Sequence, residues 1–115
     1  MITLFSAIAG FFAVALGAFG AHALKDGFGE EQIGWWETAT LYLLVHAALA
    51  TAISAADAAR FGSAATVLLL GGLVFSGTLY AMALGGPRWL GAVTPIGGVG
   101  LLLGWAMIAA AAIRS

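Results

Sequence analysis

All nine Asp, Glu, Lys and Arg residues of this 115-residue chain lie between, or at the edges of, four long apolar runs. That distribution constrains the fold more than any single motif. A charged side chain at the centre of a bilayer costs roughly 2.5–3.5 kcal/mol on insertion scales, and about 20 apolar residues in a helix cross the hydrocarbon core. Residues 2–24, 35–56, 63–84 and 93–113 therefore read as four transmembrane spans. Lys25, Asp26, Glu30 and Glu31 occupy the first connection, Asp57 and Arg60 the second, Arg88 the third, and Arg114 follows the last span. Glu37 falls at most one turn inside the second span.

Composition agrees. Charged residues are 8% of the chain and hydrophobic ones 63%, against about a quarter charged in soluble domains. A soluble domain of this size needs polar side chains to cover its surface, so the apolar excess faces lipid. The runs are continuous, without the period-two alternation of a membrane barrel. Short connections make successive helices antiparallel neighbours. The expected fold is all-α: one domain over residues 1–115, an up-down-up-down four-helix bundle with both termini on one side.

The net charge of −1 supplies no basic patch for nucleic acid. The absence of cysteine removes disulfides, thiolate metal sites and cysteine nucleophiles. Ala21-His22-Ala23 fits a signal-peptidase pattern, but no Lys or Arg precedes it and the apolar run exceeds the usual length, so the segment is expected to stay as a span. Lys25 and Arg88 balance Arg60 and Arg114 across the membrane. The N-terminal amine tips orientation toward cytoplasmic termini.

Glycine numbers 17. Lipid supplies no hydrophobic drive to pair helices, so small residues that let backbones approach carry much of the packing. Gly10 and Gly17 in the first span, Gly72 in the third, and the Gly100–Gly104 pair in the fourth are the expected contact points. Surplus glycine faces leave room for a homo-oligomer or a larger membrane complex. Trp35, Trp36 and Trp89 fall at span ends on one side, where aromatic rings anchor to the interface. Trp105 lies deeper, as a packing residue. Thr94-Pro95 reads as an N-cap followed by proline in the first turn.

Ionisable residues within a membrane are functional candidates by default. His46 lies eleven residues past Trp35, about 16 Å into the bilayer. With Tyr42, Ser76 and Tyr80 it outlines a candidate polar seam between the second and third spans. A neutral histidine bonded to a neighbouring helix is the competing structural reading. His22 and Glu37 flank the first connection at one depth and form a candidate interfacial pair that clamps the loop. Glu37 and His46 are nine residues apart, on opposite helix faces. His22 and His46 differ in depth by more than about 10 Å. A shared metal or haem site is therefore disfavoured, and no HExxH, phosphate-loop or dinucleotide motif is present. No cofactor is expected.

Several segments together resemble the domain-of-unknown-function 423 family, the YgdD-like small inner-membrane proteins. They are Gly17-Ala18-Phe19-Gly20-Ala21-His22-Ala23-Leu24; Trp36 with Thr38, Ala39, Tyr42, His46 and Ala47; Phe75-Ser76-Gly77 with Leu79 and Tyr80; and Thr94-Pro95-Ile96-Gly97-Gly98 with Gly104-Trp105. The resemblance implies a four-helix protein of the bacterial inner membrane without an established activity. It implies that His22, His46, Ser76, Tyr80 and the Thr94-Pro95 turn belong to the family pattern. Leu43 departs from it, because members often place a polar residue after the tyrosine matched by Tyr42. That departure weighs against an extended polar pathway.

These readings favour a non-enzymatic structural or accessory module that packs with itself, with lipid or with a larger complex. The alternative is a small transporter or channel component built on the seam around His46. An enzyme or metalloprotein has the least support.

Overall fold

The structure is a computed structural model describing residues 1–24 and 26–114, with Ala23 described by its backbone alone. Lys25, one of the first connection's charges, lies outside the described residues. Four α-helices follow in order: α1 (Ile2–Phe19), α2 (Glu30–Ala56), α3 (Ala58–Ala83) and α4 (Thr94–Ile113). A π-helical turn, Gly20–Leu24, extends α1, and a 3-10 turn, Arg88–Ala92, precedes α4. Four helical segments are long and apolar enough to cross a membrane, and the described residues contain no strand. The chain is an all-α, four-span membrane protein.

Two helices are longer than the apolar runs suggested. α2 begins at Glu30 rather than at Trp35. The backbone N–H of its N-cap, Gly29, donates to Gln32 Oε1 at 2.9 Å, and Glu30 and Glu31 sit where the helix dipole favours acids. α3 begins at Ala58 rather than Ser63, so Arg60 and Gly62 are helical and not part of a loop. Asp57 alone reverses the chain there, its carboxylate accepting the Arg60 N–H at 3.1 Å as an N-cap. Charge ends a membrane span but not a helix. At 27 and 26 residues, α2 and α3 are about 40 Å long and overrun a core of roughly 30 Å.

α3 ends at a sharp turn in which Gly85 adopts φ 101°, a conformation natural to glycine. Gly86 N–H returns to Ala81 O at 2.8 Å. Thr94 does not cap α4 as expected. It is the first helical residue, after Val93, because the 3-10 turn already supplies the entry. Its hydroxyl instead donates to Leu90 O at 3.2 Å and meets Thr78 Oγ1 at 2.6 Å.

Packing is sequential: α1 lies on α2, α2 on α3, and α3 on α4, whereas α1 touches α3 only lightly. α3 is the most buried helix and α1 the least. The interior is built largely of alanine and leucine. Ala9, Ala13, Leu43, Ala47 and Leu69 join α1 to α2 and α3, while Ala50, Ala65, Leu68 and Leu101 join α2, α3 and α4. Large side chains such as Phe11, Leu70 and Leu102 point outward, as expected where lipid is the solvent.

α3 and α4 approach backbone to backbone. A Cβ on Gly71 would lie 2.9 Å from Leu101 N, and one on Gly97 would overlap the Phe75 backbone. Of the glycines expected to pack, Gly100 meets Gly71 and Gly104 abuts Leu68 on this same seam. Gly72 faces His46 and Leu101, while Gly10 faces Ala47 and Gly17 faces the Thr40 methyl across α1 and α2.

Candidate functional site

His46 sits near the middle of α2 and is buried. Its Nδ1 lies 2.7 Å from the Tyr42 carbonyl, one turn earlier. Its Nε2 accepts the indole N–H of Trp105, on α4, at 3.1 Å. A carbonyl can only accept, so Nδ1 must carry the proton. An N–H aimed at Nε2 requires a lone pair there. The two contacts together define a neutral imidazole with both nitrogens occupied. The ring bridges α2 to α4, and its Cβ faces Gly72 of α3.

The four residues of the expected seam lie in three separate arrangements. His46 turns toward α4. Ser76 Oγ donates to Ala39 O at 2.7 Å, joining α3 to α2 in a buried bond. Tyr80 shares a 2.6 Å hydrogen bond with Thr40. The Tyr42 ring packs against Phe75 at 4.6 Å between centroids and stacks near His46. Among the described residues no side chain-to-side chain hydrogen bond joins any two of the four; the one bond between them runs from His46 to the Tyr42 backbone carbonyl. His46, Ser76 and Tyr80 each have a local hydrogen-bond partner, as a membrane interior favours.

A second constellation lies at the π turn. Trp36 is buried and not at the lipid interface, contrary to the expected anchor role. Its indole N–H donates to Leu16 O at 2.8 Å, and its ring meets Tyr80 edge-on at 4.6 Å. Gly20 makes this possible, since a Cβ there would overlap the indole. Trp89 is well exposed, and Arg88 lies over the Trp35 ring at 5.4 Å.

Beside this contact, α1 and α2 enclose a cleft of about 410 Å³ whose walls include Gly17, Gly20, Phe28, Trp36, Glu37 and Leu44. Glu37 has no hydrogen bond or ion pair among the described residues. In particular it does not pair with His22. Both residues are exposed, because Gly20 and Trp36 fill the seam between the helices at that level and leave histidine and carboxylate at the surface. Among the described residues no group of three or more His, Cys, Asp or Glu side chains is placed to hold a metal.

Sequence reasoning did not find Trp105 as the partner of His46, Thr40 as that of Tyr80, or Leu16 O as that of Trp36. One signal was available for the two tryptophans: an indole N–H held away from water needs an acceptor. Two further interhelical bonds, Thr3 with Ser54 at 2.7 Å and Gln32 with Ala83 O at 3.0 Å, carry no sequence motif.

The model of a family described as "Protein of unknown function (DUF423)" matches residues 16–98, a stretch holding the π turn, the cleft, His46, Ser76 and Tyr80. The chain is 43% identical to the UPF0382 inner membrane protein YgdD of Escherichia coli (strain K12), over 96% of this chain and 88% of the relative. It is 39% identical to a UPF0382 membrane protein of Haemophilus influenzae, over 95% and 90%, and 39% identical to one of Staphylococcus epidermidis (strain ATCC 12228 / FDA PCI 1200), over 89% and 86%. No solved structure matches. With four spanning helices and relatives named for the inner membrane, this chain belongs to the DUF423 family of uncharacterised inner-membrane proteins.

Proposed function

We propose that the chain is a non-catalytic membrane module, structural or accessory, which acts by packing with itself, with lipid or with a larger membrane complex. One observation carries this reading: both nitrogens of the mid-membrane histidine are used in hydrogen bonds to the protein itself. A general base or metal ligand needs a free nitrogen, and a conducting path needs water and an outlet at each face. The lipid-facing surface supports the same reading. Two apolar grooves of about 620 Å³ each flank α1, one against α2 and one against α3.

Native mass spectrometry of the full chain in mild detergent tests it. Retained lipid, a homo-oligomer or a co-purifying membrane partner is expected. A bare monomer throughout would count against the module. The alternative of a transporter built around His46 is tested by liposome flux: a flux abolished by His46→Ala, in a variant that still folds, would replace the packing module with a transporter.

A further inference from the structure

We propose that the cleft between α1 and α2 binds an organic ammonium ion with a hydrocarbon body, the Glu37 carboxylate serving as its counter-ion. The cleft is a product of local sequence. Gly17 and Gly20 let α1 close onto Thr40 and Trp36 of α2, and the cleft lies beside this contact, next to the π turn that begins at Gly20. The volume of about 410 Å³ falls within the roughly 300–1,000 Å³ of small-molecule sites.

The chemistry of the walls selects the ligand. Among the described lining residues Glu37 is the sole ionic one, and it has no partner there. The hydrogen-bonding side chains beside it are already engaged, Thr40 by Tyr80 and the Trp36 indole by Leu16 O. An anion would meet an unpaired carboxylate, and a neutral apolar molecule would offer it no counter-charge. A cation satisfies it. Phe28 and Trp36 contribute aromatic walls, which favour alkylammonium heads.

The direction of the cleft matches an amphiphile. Glu37 lies nearer the Trp35 end of α2, and Leu44 lies seven residues further in, about 10 Å along the helix. Charge thus sits toward water and apolar wall toward the bilayer centre. An ammonium of this kind has two sources: the headgroup of a phosphatidylethanolamine from the surrounding bilayer, or a free lipophilic amine.

The test uses the full chain in dodecyl maltoside micelles, which carry no ammonium, titrated calorimetrically with octylammonium and, separately, with neutral octanol. A single saturable site for octylammonium and none for octanol is expected. Glu37→Gln should weaken binding by about ten-fold or more, the effect of losing one charge-assisted contact, while its unfolding temperature stays at the wild-type value because the side chain is exposed. Leu44→Trp, which fills the inner end, should also weaken binding. Equal binding by Glu37→Gln, equal binding of octanol, or indifference to Leu44→Trp would each overturn the proposal. Adding phosphatidylethanolamine to the micelles separates the sources: competition with octylammonium marks the lipid headgroup, and undiminished octylammonium binding marks a free amine. The outcome does not depend on oligomeric state, so a failure of the titration leaves the packing module untouched.

Discussion

The indole N–H of Trp105 donates to Nε2 of His46 across 3.1 Å, tying α4 to α2 near mid-membrane. The bond determines which imidazole nitrogen carries the proton and holds together two helices that otherwise meet mainly through α3. Trp105→Phe keeps an aromatic ring and deletes the donor. In a double-mutant cycle with His46→Ala, measured by unfolding in mixed detergent, a coupling of about 1 kcal/mol is expected, within the range found for interhelical hydrogen bonds. Additive losses would show that the two side chains do not act together. Nitrogen NMR of the labelled ring should report the proton on Nδ1.

Glycines of one sequence type should respond in opposite ways. A Cβ at Gly97 would overlap the Phe75 backbone, whereas one at Gly77 meets nothing within 4 Å. Gly97→Ala forces α3 and α4 apart and should cost about 1–3 kcal/mol, the usual penalty of overpacking. Gly77→Ala should be neutral or stabilising by up to about 1 kcal/mol through helix propensity. Thermal unfolding of the two variants side by side checks the contrast.

Trp36→Phe removes the donor that reaches Leu16 O, and Gly20→Ala displaces the indole that carries it. Each variant should speed amide hydrogen exchange in the Gly20–Leu24 turn. Because both act through one bond, the double variant should lose less stability than the sum of the singles. Full additivity would separate the π turn from Trp36.

Asp57 is the whole connection between α2 and α3, and its carboxylate caps α3. Asp57→Ala should cost about 1 kcal/mol, the typical value of an N-cap. Asp57→Asn, which can still accept the Arg60 N–H, should retain most of it. Equal losses in the two variants would assign the effect to charge rather than to the cap.

The candidate site was legible as a list of residues and not as an arrangement. His46, Ser76 and Tyr80 stand out because a polar group in an apolar run must find a partner. Which partner it finds depends on rotation about the helix axis. Tyr80 turns to Thr40, Ser76 to Ala39 O, and His46 to a residue 59 positions away. The expected bond between His22 and Glu37 assumed that equal depth implies contact, whereas the close approach of Gly20 to Trp36 occupies that seam.

What the sequence by itself determined is the number of spans, their approximate positions and the class of solvent around them. The cost of placing charges in hydrocarbon acts on each run separately, and composition is enough to read it. The inward face of each helix was decided only in the tertiary structure. In a soluble helix the polar side marks the outside, but in these spans both sides are apolar, and Gly97 and Gly77 look alike until α4 is laid against α3. Close backbone approach and internal hydrogen bonding, rather than a hydrophobic stripe, select the face, and both require the neighbouring helix to be in place.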